Sequence, residues 1–259
     1  MIRPITFSRQ RCYIVWKNLV VHIIDHSGDP KLCSNEDTSD EYFKNRPRDC
    51  TDIDIKRKSG VYKIYPEGSA DGFNVYCDMT TESVNGGWTV FQRRINGKVD
   101  FYRGWKEYKE GFGSLQNEFW LGNDRLHVLT SQGKYELIIT MEDFSNQNRY
   151  AKYDNVKVGD EESKYVLTYD SERGNAGNSL SRHNGKKFTT KDHDNDNSSG
   201  NCATVYKGAW WYYSCHSANL NGLYLSGKHS SYADGINWST WRGPHYSLKT
   251  TAMMIRRLK

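Results

Sequence analysis

Short alternating runs of apolar and polar residues begin near residue 60 and set the pattern for the middle of the chain. "GVYKIYP" (60–66) and "FNVYCDM" (73–79) alternate with the period of two that a half-buried strand requires, and the turn-forming "EGSADG" (67–72) separates them. "GWTVFQRRI" (87–95) reads as another strand. "WKEYKEGFG" (105–113) has the spacing of a short helix ended by glycine, and "NDRLHVLTSQ" (123–132) reads as a second. Strand patterning returns in "KYELIITMEDF" (134–144) and "YAKYDNVKVG" (150–159). Beyond about residue 175, Gly, Asn, Ser and Asp are mixed with single aromatics, and little regular structure is predicted until "TTAMMIRRL" (250–258), a closing strand. The pattern predicts an α+β fold: a central antiparallel sheet with short helices, followed by a loop-rich lobe. Long loops in a compact domain need outside support, which disulfides or a metal ion supply.

The N-terminal part reads differently. Residues 25–49 are polar and turn-rich without periodicity, which marks a linker or arm, and no Gly-X-Y run or heptad marks an oligomerising stalk. "YIVWKNLVVHII" (13–24) is apolar but broken by Lys17, Asn18 and His22, so it is too short and too polar to span a bilayer. Arg3, Arg9 and Arg11 precede it but no small-x-small cleavage site is present; it reads as a degenerate leader, with an ordinary buried segment as the alternative. The division expected is an arm over 1–47 and a globular domain over 48–259.

Composition sharpens this. Hydrophobic residues are only 36%, but aromatics reach 14%, with 8 Trp and 18 Tyr, so the core is expected to be built from rings that carry polar handles. The net charge of +5, from 36 basic and 31 acidic residues, is too mild and evenly mixed for a nucleic-acid binder. "KRK" (56–58) and "RR" (256–257) lack interleaved aromatics and read as solvated faces. The cysteines at 12, 33, 50, 77, 202 and 215 form no CxxC pair and no zinc-finger spacing, which favours disulfides and an oxidising compartment. Two N-x-[ST] sequons, at Asn197 and Asn237, agree with that compartment.

The chemistry concentrates in "DHDNDNSSGN" (192–201) and the aromatic segment directly downstream of it. Aspartates at every second position among small flexible residues suit the hard-oxygen shell of Ca²⁺. An EF-hand is excluded: counted from Asp192, Asn197 and Ala203 occupy its glycine and glutamate positions, and counted from Asp194, Ser199 and Val205 do. A non-EF loop using Asp194, Asp196 and nearby carbonyls stands evenly against a solvated acidic turn. In the downstream segment, Cys202 and Cys215 bracket Tyr206, Trp210, Trp211, Tyr212 and Tyr213. A disulfide closing a loop of that size restricts the unfolded chain by roughly 3 kcal/mol and would pin the acidic loop against the aromatics.

These stretches, in this order, resemble the fibrinogen-like domain of ficolins, tachylectins and the fibrinogen chains. "RDCTDI", "SGVYKIYP", "FNVYCDM", "GGWTVFQRR", "DFYRGWKEYKEGFG", "EFWLGND", "KYELIITMEDF", "GAWWYYSCHSANLNGLY" and "YSLKTTAMMIRR" span about residues 48–259, and WWY-x-x-CH-x-x-NLNG is highly specific. The resemblance implies a small N-terminal disulfide subdomain, the central sheet, and a calcium- and ligand-binding lobe. It implies pairing of Cys50 with Cys77 and of Cys202 with Cys215. It implies one structural Ca²⁺ on the side chains of Asp194 and Asp196 and the carbonyls of Ser198 and Gly200, with Asp192 a neighbour only. It also implies an acetyl pocket made by Tyr206, His216, Tyr232 and Ala233, in which the N–H groups of Cys215 and His216, presented through a cis Ser214–Cys215 peptide, bind the acetyl oxygen. Two departures bear on specificity: Pro244 stands where several relatives carry an aromatic, and Ser214 where many carry Asp or Asn.

Two function classes are open to such a chain. One is a secreted lectin for N-acetylated sugars (GlcNAc, GalNAc, with sialic acid a further candidate) on microbial surfaces in innate immunity, acting as a homo-oligomer because one acetyl pocket binds weakly. The other is a fibrinogen- or angiopoietin-like module that recognises a receptor or peptide. The complete pocket set favours the lectin. An enzyme is not expected: residues as close in sequence as His216, Ser214 and Ser217 rarely present their side chains to one another in triad geometry, and no G-x-S-x-G is present. Neither nucleic-acid binding nor membrane insertion is expected. A titrating His216 would make ligand binding fall between about pH 7.5 and 5. Trp210, Trp211, Trp238 and Trp241 are expected to be structural. Cys12 and Cys33 pair with each other or between chains. Asn237 is the better glycan candidate, since Asn197 sits inside the calcium loop.

Overall fold

A computed structural model describes residues 4–6, 11–17, 20–24, 46–82 and 87–258. The chain divides into two units, Met1–Arg46 and Pro47–Lys259. In the first, β1 (Pro4–Thr6), β2 (Arg11–Lys17) and β3 (Val20–Ile24) form an antiparallel sheet in the order β1-β2-β3. The segment read as a leader thus runs through two of these strands. The pairing expected of Cys12 and Cys33 lies outside the described residues.

The second unit follows the hydrophobic pattern closely. Its strands β4 (Gly60–Ile64), β5 (Phe73–Asp78) and β6 (Trp88–Arg94) come first. Helix α1 (Trp105–Glu110), the short β7 (Phe112–Gly113) and β8 (Phe119–Trp120), and helix α2 (Asn123–Ser131) come after them. Next are β9 (Tyr135–Glu142), β10 (Asn148–Tyr153), β11 (Lys157–Val158), β12 (Leu167–Thr168) and β13 (Glu172–Gly174). The main antiparallel sheet has the order β13-β10-β9-β18-β6-β5-β4, with β18 (Thr250–Arg257) returning from the chain end to its middle. Because β6, β9 and β18 are covered on both faces, their apolar runs are nearly continuous rather than alternating. The expected single strand over 150–159 is two, since the chain turns at Asn155, which has φ of 49°.

Rings do fill the core. Tyr108, Trp120, Phe188 and Trp211 pack at centroid distances of 5.2–5.8 Å, and their polar handles are met inside: Trp211 Nε1–H donates to the Tyr165 carbonyl at 2.7 Å, Tyr108 to Phe101 at 2.7 Å, and Trp120 to Asn123 Oδ1 at 2.9 Å. Trp210, Trp211 and Trp238 are fully buried, as expected of structural residues.

One expectation fails. The C-terminal "RR" is not a solvated face: Arg256 is only 3% exposed and its Nη2 lies 2.6 Å from the buried Glu136, while Arg257 Nε lies 3.0 Å from Asp49. A strand at the centre of a sheet has no solvated face to offer, so its basic residues must be paired. Cys50 and Cys77 are joined, with Cα atoms 5.5 Å apart, and tie the start of this unit to β5.

The loops between β13 and β18, with the short strands β14 (Ala218–Asn219), β15 (Gly227–Lys228), β16 (Asn237–Trp238) and β17 (Tyr246–Ser247), form the lobe, which is fastened to the sheet by two residues of β6. Gln92 and Arg94, two apart and therefore on one face, point into it. Gln92 Nε2 donates to the Leu220 carbonyl at 3.0 Å, and Arg94 Nη1 donates to those of Leu220 and Gly222 at 3.1 and 2.8 Å. Burial lowers the Arg94 pKa to about 10 against the nearby Glu118 charge.

Candidate functional site

The acidic run is organised by its asparagines as much as by its aspartates. Asn195 Nδ2 donates to the Phe188 carbonyl at 2.9 Å. Asn201 accepts from Thr204 N–H at 3.0 Å, capping helix α3 (Cys202–Val205), and donates back to the Thr190 carbonyl at 3.0 Å. Asp192 points away from the other two aspartates. Its Oδ1 accepts from Trp105 N–H at 2.9 Å and Thr190 Oγ1 at 2.6 Å, so it caps α1, whose own N-cap Gly104 has no side chain to do so. His193 stacks on the Trp105 ring at 4.9 Å beside it.

Asp194 and Asp196 remain together, with Asp196 N–H donating to Asp194 Oδ1 at 3.3 Å. Asp196 accepts from Ser198 N–H at 2.8 Å and Cys202 N–H at 2.9 Å, one on each oxygen. Burial raises its pKa, with the charge of Asp194 adding to the rise and the two N–H groups opposing it. Among the described residues no donor pairs with the carbonyls of Ser198 or Gly200. Two adjacent carboxylates that repel each other, with two free carbonyls in the same loop, are a hard-oxygen donor set that fits Ca²⁺.

The disulfide Cys202–Cys215, with Cα atoms 5.6 Å apart, carries this loop to the next segment. There the Ser214–Cys215 peptide is cis. The N–H groups of Cys215 and His216 find no acceptor among the described residues. The Tyr206 and His216 rings meet edge to face at 4.6 Å, 87° apart. Both ring nitrogens of His216 are buried, and among the described residues neither meets a partner at full hydrogen-bond geometry. Burial lowers its pKa to about 4, with the Ala233 backbone, which faces the ring, opposing the shift. His216 is therefore a neutral imidazole at physiological pH.

Ala233 is buried, takes φ of 59°, and its N–H donates to the Pro244 carbonyl at 2.9 Å. Tyr232 beside it is the most exposed large apolar residue described, at 63%, and its ring meets His245 at 5.5 Å. Tyr206, Cys215, His216 and Ala233 thus converge, with Tyr232 at the rim. Pro244 contributes through its carbonyl, a role that does not depend on its side chain.

Several positioning residues carry no motif that would reveal them. His183 is fully buried; its Nδ1–H donates to the Trp211 carbonyl at 2.7 Å, and its Nε2 accepts from Ser217 and Ala218 N–H at 3.3 and 3.2 Å. It thereby holds the chain directly after His216, and burial lowers its pKa to about 3. Asn219, in β14 (Ala218–Asn219), donates to the Tyr206 carbonyl at 3.0 Å and accepts from Tyr212 Oη–H at 2.6 Å. The nearest the sequence comes to signalling this is the NLNG run that contains Asn219.

A separate cleft of about 310 Å³, lined by Arg94, Asp100, Tyr102 and Tyr224 among others, includes none of these residues. Among the described residues no group of three His, Cys, Asp or Glu forms a metal site, and no helix is long and apolar enough to cross a membrane.

Known proteins share this arrangement of chain and lobe. The family model described as fibrinogen beta and gamma chains, C-terminal globular domain, matches residues 46–258. Fibrinogen C domain-containing protein 1-A of Xenopus laevis is 53% identical over 234 residues, covering 88% of this chain and 49% of that protein. Human microfibril-associated glycoprotein 4 is 49% identical over 85% of this chain and 89% of its own length. The chain spans about half the length of the first curated relatives it matches. Among solved structures, the fibrinogen-like globe domain of human ANGPTL2 superposes with a TM-score of 0.79 at 44% identity, over 82% of this chain and 99% of that one. Lamprey fibrin D-dimer, complexed with the peptide Gly-His-Arg-Pro-amide, gives 0.77 at 36% identity over 82% of this chain and 75% of that one.

Proposed function

This chain belongs to the family of fibrinogen C-terminal globular domains, and on that footing we propose that it is a secreted, calcium-dependent lectin for the acetyl group of N-acetylated sugars such as GlcNAc and GalNAc. One observation carries the reading: two successive backbone N–H groups, of Cys215 and His216, without an acceptor beside the Tyr206 and His216 rings. An acetyl group has one carbonyl oxygen to accept from such a pair and one methyl to rest against rings and the Ala233 side chain. Burial of a methyl-sized group contributes about 0.8 kcal/mol, and each hydrogen bond about 1 kcal/mol, so a single pocket binds weakly.

Neutral His216 cannot repel or pair ionically, and serves as a wall. Asp194, Asp196 and the carbonyls of Ser198 and Gly200 would hold Ca²⁺. When bound, the ion supplies charge balance for two adjacent carboxylates and stiffens the loop joined through Cys202 to Cys215. The disulfides agree with an oxidising, extracellular setting. Weak single-site binding calls for several heads acting together, hence a homo-oligomer on microbial surfaces in innate defence. The reading gives the site a binding role only, in which no residue acts as a nucleophile or general base.

A second reading rests on the lamprey relative, which holds a peptide: the same lobe would then recognise a peptide or receptor. Retention on an N-acetylglucosamine resin in calcium, with elution by free acetate, separates the two. The lectin reading requires both; a protein that passes through unretained belongs to the second.

A further inference from the structure

The two sequons meet opposite fates in the folded chain, and the outcome reverses the expectation from sequence. Asn237 lies in β16 (Asn237–Trp238), paired with Asn219 of β14, and is 0% exposed. Its Nδ2 donates to the carbonyls of Tyr246 at 2.9 Å and Pro244 at 3.3 Å. An N-linked sugar would replace one of the two hydrogens making those bonds and would need space that the lobe has filled. Ser239, the hydroxyl residue of this sequon, is exposed, so the obstacle is the acceptor amide itself. A glycan at Asn237 is incompatible with this fold.

Asn197 is the reverse. Its backbone is fixed, because its N–H donates to the Tyr213 carbonyl at 2.9 Å. Its neighbours turn inward: Asn195 to Phe188, Asp196 to Ser198 and Cys202, and Asn201 to Thr190 and Thr204. The Asn197 side chain alone among these makes no hydrogen bond to the described residues, and both it and Ser199 are exposed. No neighbouring atom stands within 4 Å of the Cβ position at Gly200, so the loop beyond the sequon opens to solvent. The expected conflict with calcium does not arise, since the donor set leaves the Asn197 side chain unused.

We propose that Asn197 is the N-glycan acceptor of this domain and that Asn237 is not modified. In the transfer, the Asn197 amide nitrogen bonds to C1 of an oligosaccharide carried on a lipid pyrophosphate. The C1–O bond to pyrophosphate breaks, the lipid pyrophosphate leaves with the bonding pair, and the amide loses one proton. The sugar then roots on the outer face of the acidic loop, beside the exposed ring of Tyr213.

The test uses the full chain secreted from cultured animal cells behind a cleavable leader. Its mass is read before and after peptide-N-glycosidase release in ¹⁸O-water, which converts a glycosylated Asn to ¹⁸O-labelled Asp. The label is expected at residue 197 and absent at 237. Ser199→Ala should abolish the mass loss on release, and Ser239→Ala should leave it unchanged. A label at 237, or secreted protein with no sugar on Asn197, overturns the proposal.

Discussion

Asp192, Asp194 and Asp196 look interchangeable along the chain and are not so in space. Asp192 caps α1 through Trp105 N–H, while Asp194 and Asp196 repel each other across a loop with unclaimed carbonyls. Asp196→Ala is therefore expected to weaken calcium binding at least tenfold by calorimetry, with loss of sugar binding at the same calcium concentration. Asp192→Ala should leave calcium affinity unchanged and cost about 1 kcal/mol in denaturant unfolding, as loss of a cap does. The pairing of Asp194 with Asp196 was legible in the sequence through their spacing. The partner of Asp192 was not, because the hydrogen bond crosses 87 positions of chain.

The histidines add a pH dependence whose sign is set by burial. The pKa values of His183 and His216 fall to about 3 and about 4, below the ordinary value of about 6.5. As pH drops below 6.5 the unfolded chain takes up protons that the folded chain refuses, so stability present above 6.5 is lost towards pH 4 and below. His216 stays neutral at pH 5, so the fall in binding between about pH 7.5 and 5 that an unshifted histidine would give is not expected from it. Binding to GlcNAc at saturating calcium should hold to about pH 5, while the unfolding midpoint should already decline below 6.5. A binding midpoint near pH 6.5 would show that His216 is not buried as described.

At the scale of elements, most strands and both longer helices were legible because their periodicity is local. The loops were not, since they take their shape from single long-range bonds. Glu118 is the clearest case. Burial pushes its carboxyl pKa up, but the N–H groups of Ile95, Val99, Gly97 and Asn96 more than offset this and hold it below the usual range. Its Oε1 accepts from three of them at 2.8–3.1 Å, and its Oε2 accepts from Val99 at 3.0 Å. Nothing in "NEFWLG" announces this role. Glu118→Gln would turn an amide N–H towards a donor and remove the charge opposite Arg94, which is buried and already short of a partner at Nε. A loss of about 2–4 kcal/mol in unfolding free energy is expected, with the sheet's far-ultraviolet signature retained.

For the whole molecule, the sheet, both assigned disulfides and the lobe all fall within Pro47–Lys259. Residues 47–259 produced alone should therefore unfold cooperatively and bind GlcNAc with the affinity of a single site. Holding several such domains together should raise apparent affinity for a GlcNAc-coated surface about 10²–10⁴-fold, with no change in the affinity for free sugar. Equal surface affinity for single and clustered domains would show that assembly is not how this lobe gains strength. The N-terminal unit was the least legible part, because its apolar run, read first as a degenerate leader and otherwise as a buried segment, carries no strand alternation of its own.

Acetyl recognition governed by calcium is tested most directly by calorimetric titration of the chain with N-acetylglucosamine and with glucosamine, each in calcium and in EDTA. The two sugars differ at the acetyl group and the amine charge that its removal exposes, so free acetate is titrated alongside. A dissociation constant of about millimolar is expected for N-acetylglucosamine and for acetate in calcium. No heat is expected for glucosamine, nor for either acetyl ligand in EDTA. Equal binding of glucosamine and N-acetylglucosamine, or binding that survives EDTA unchanged, would contradict it.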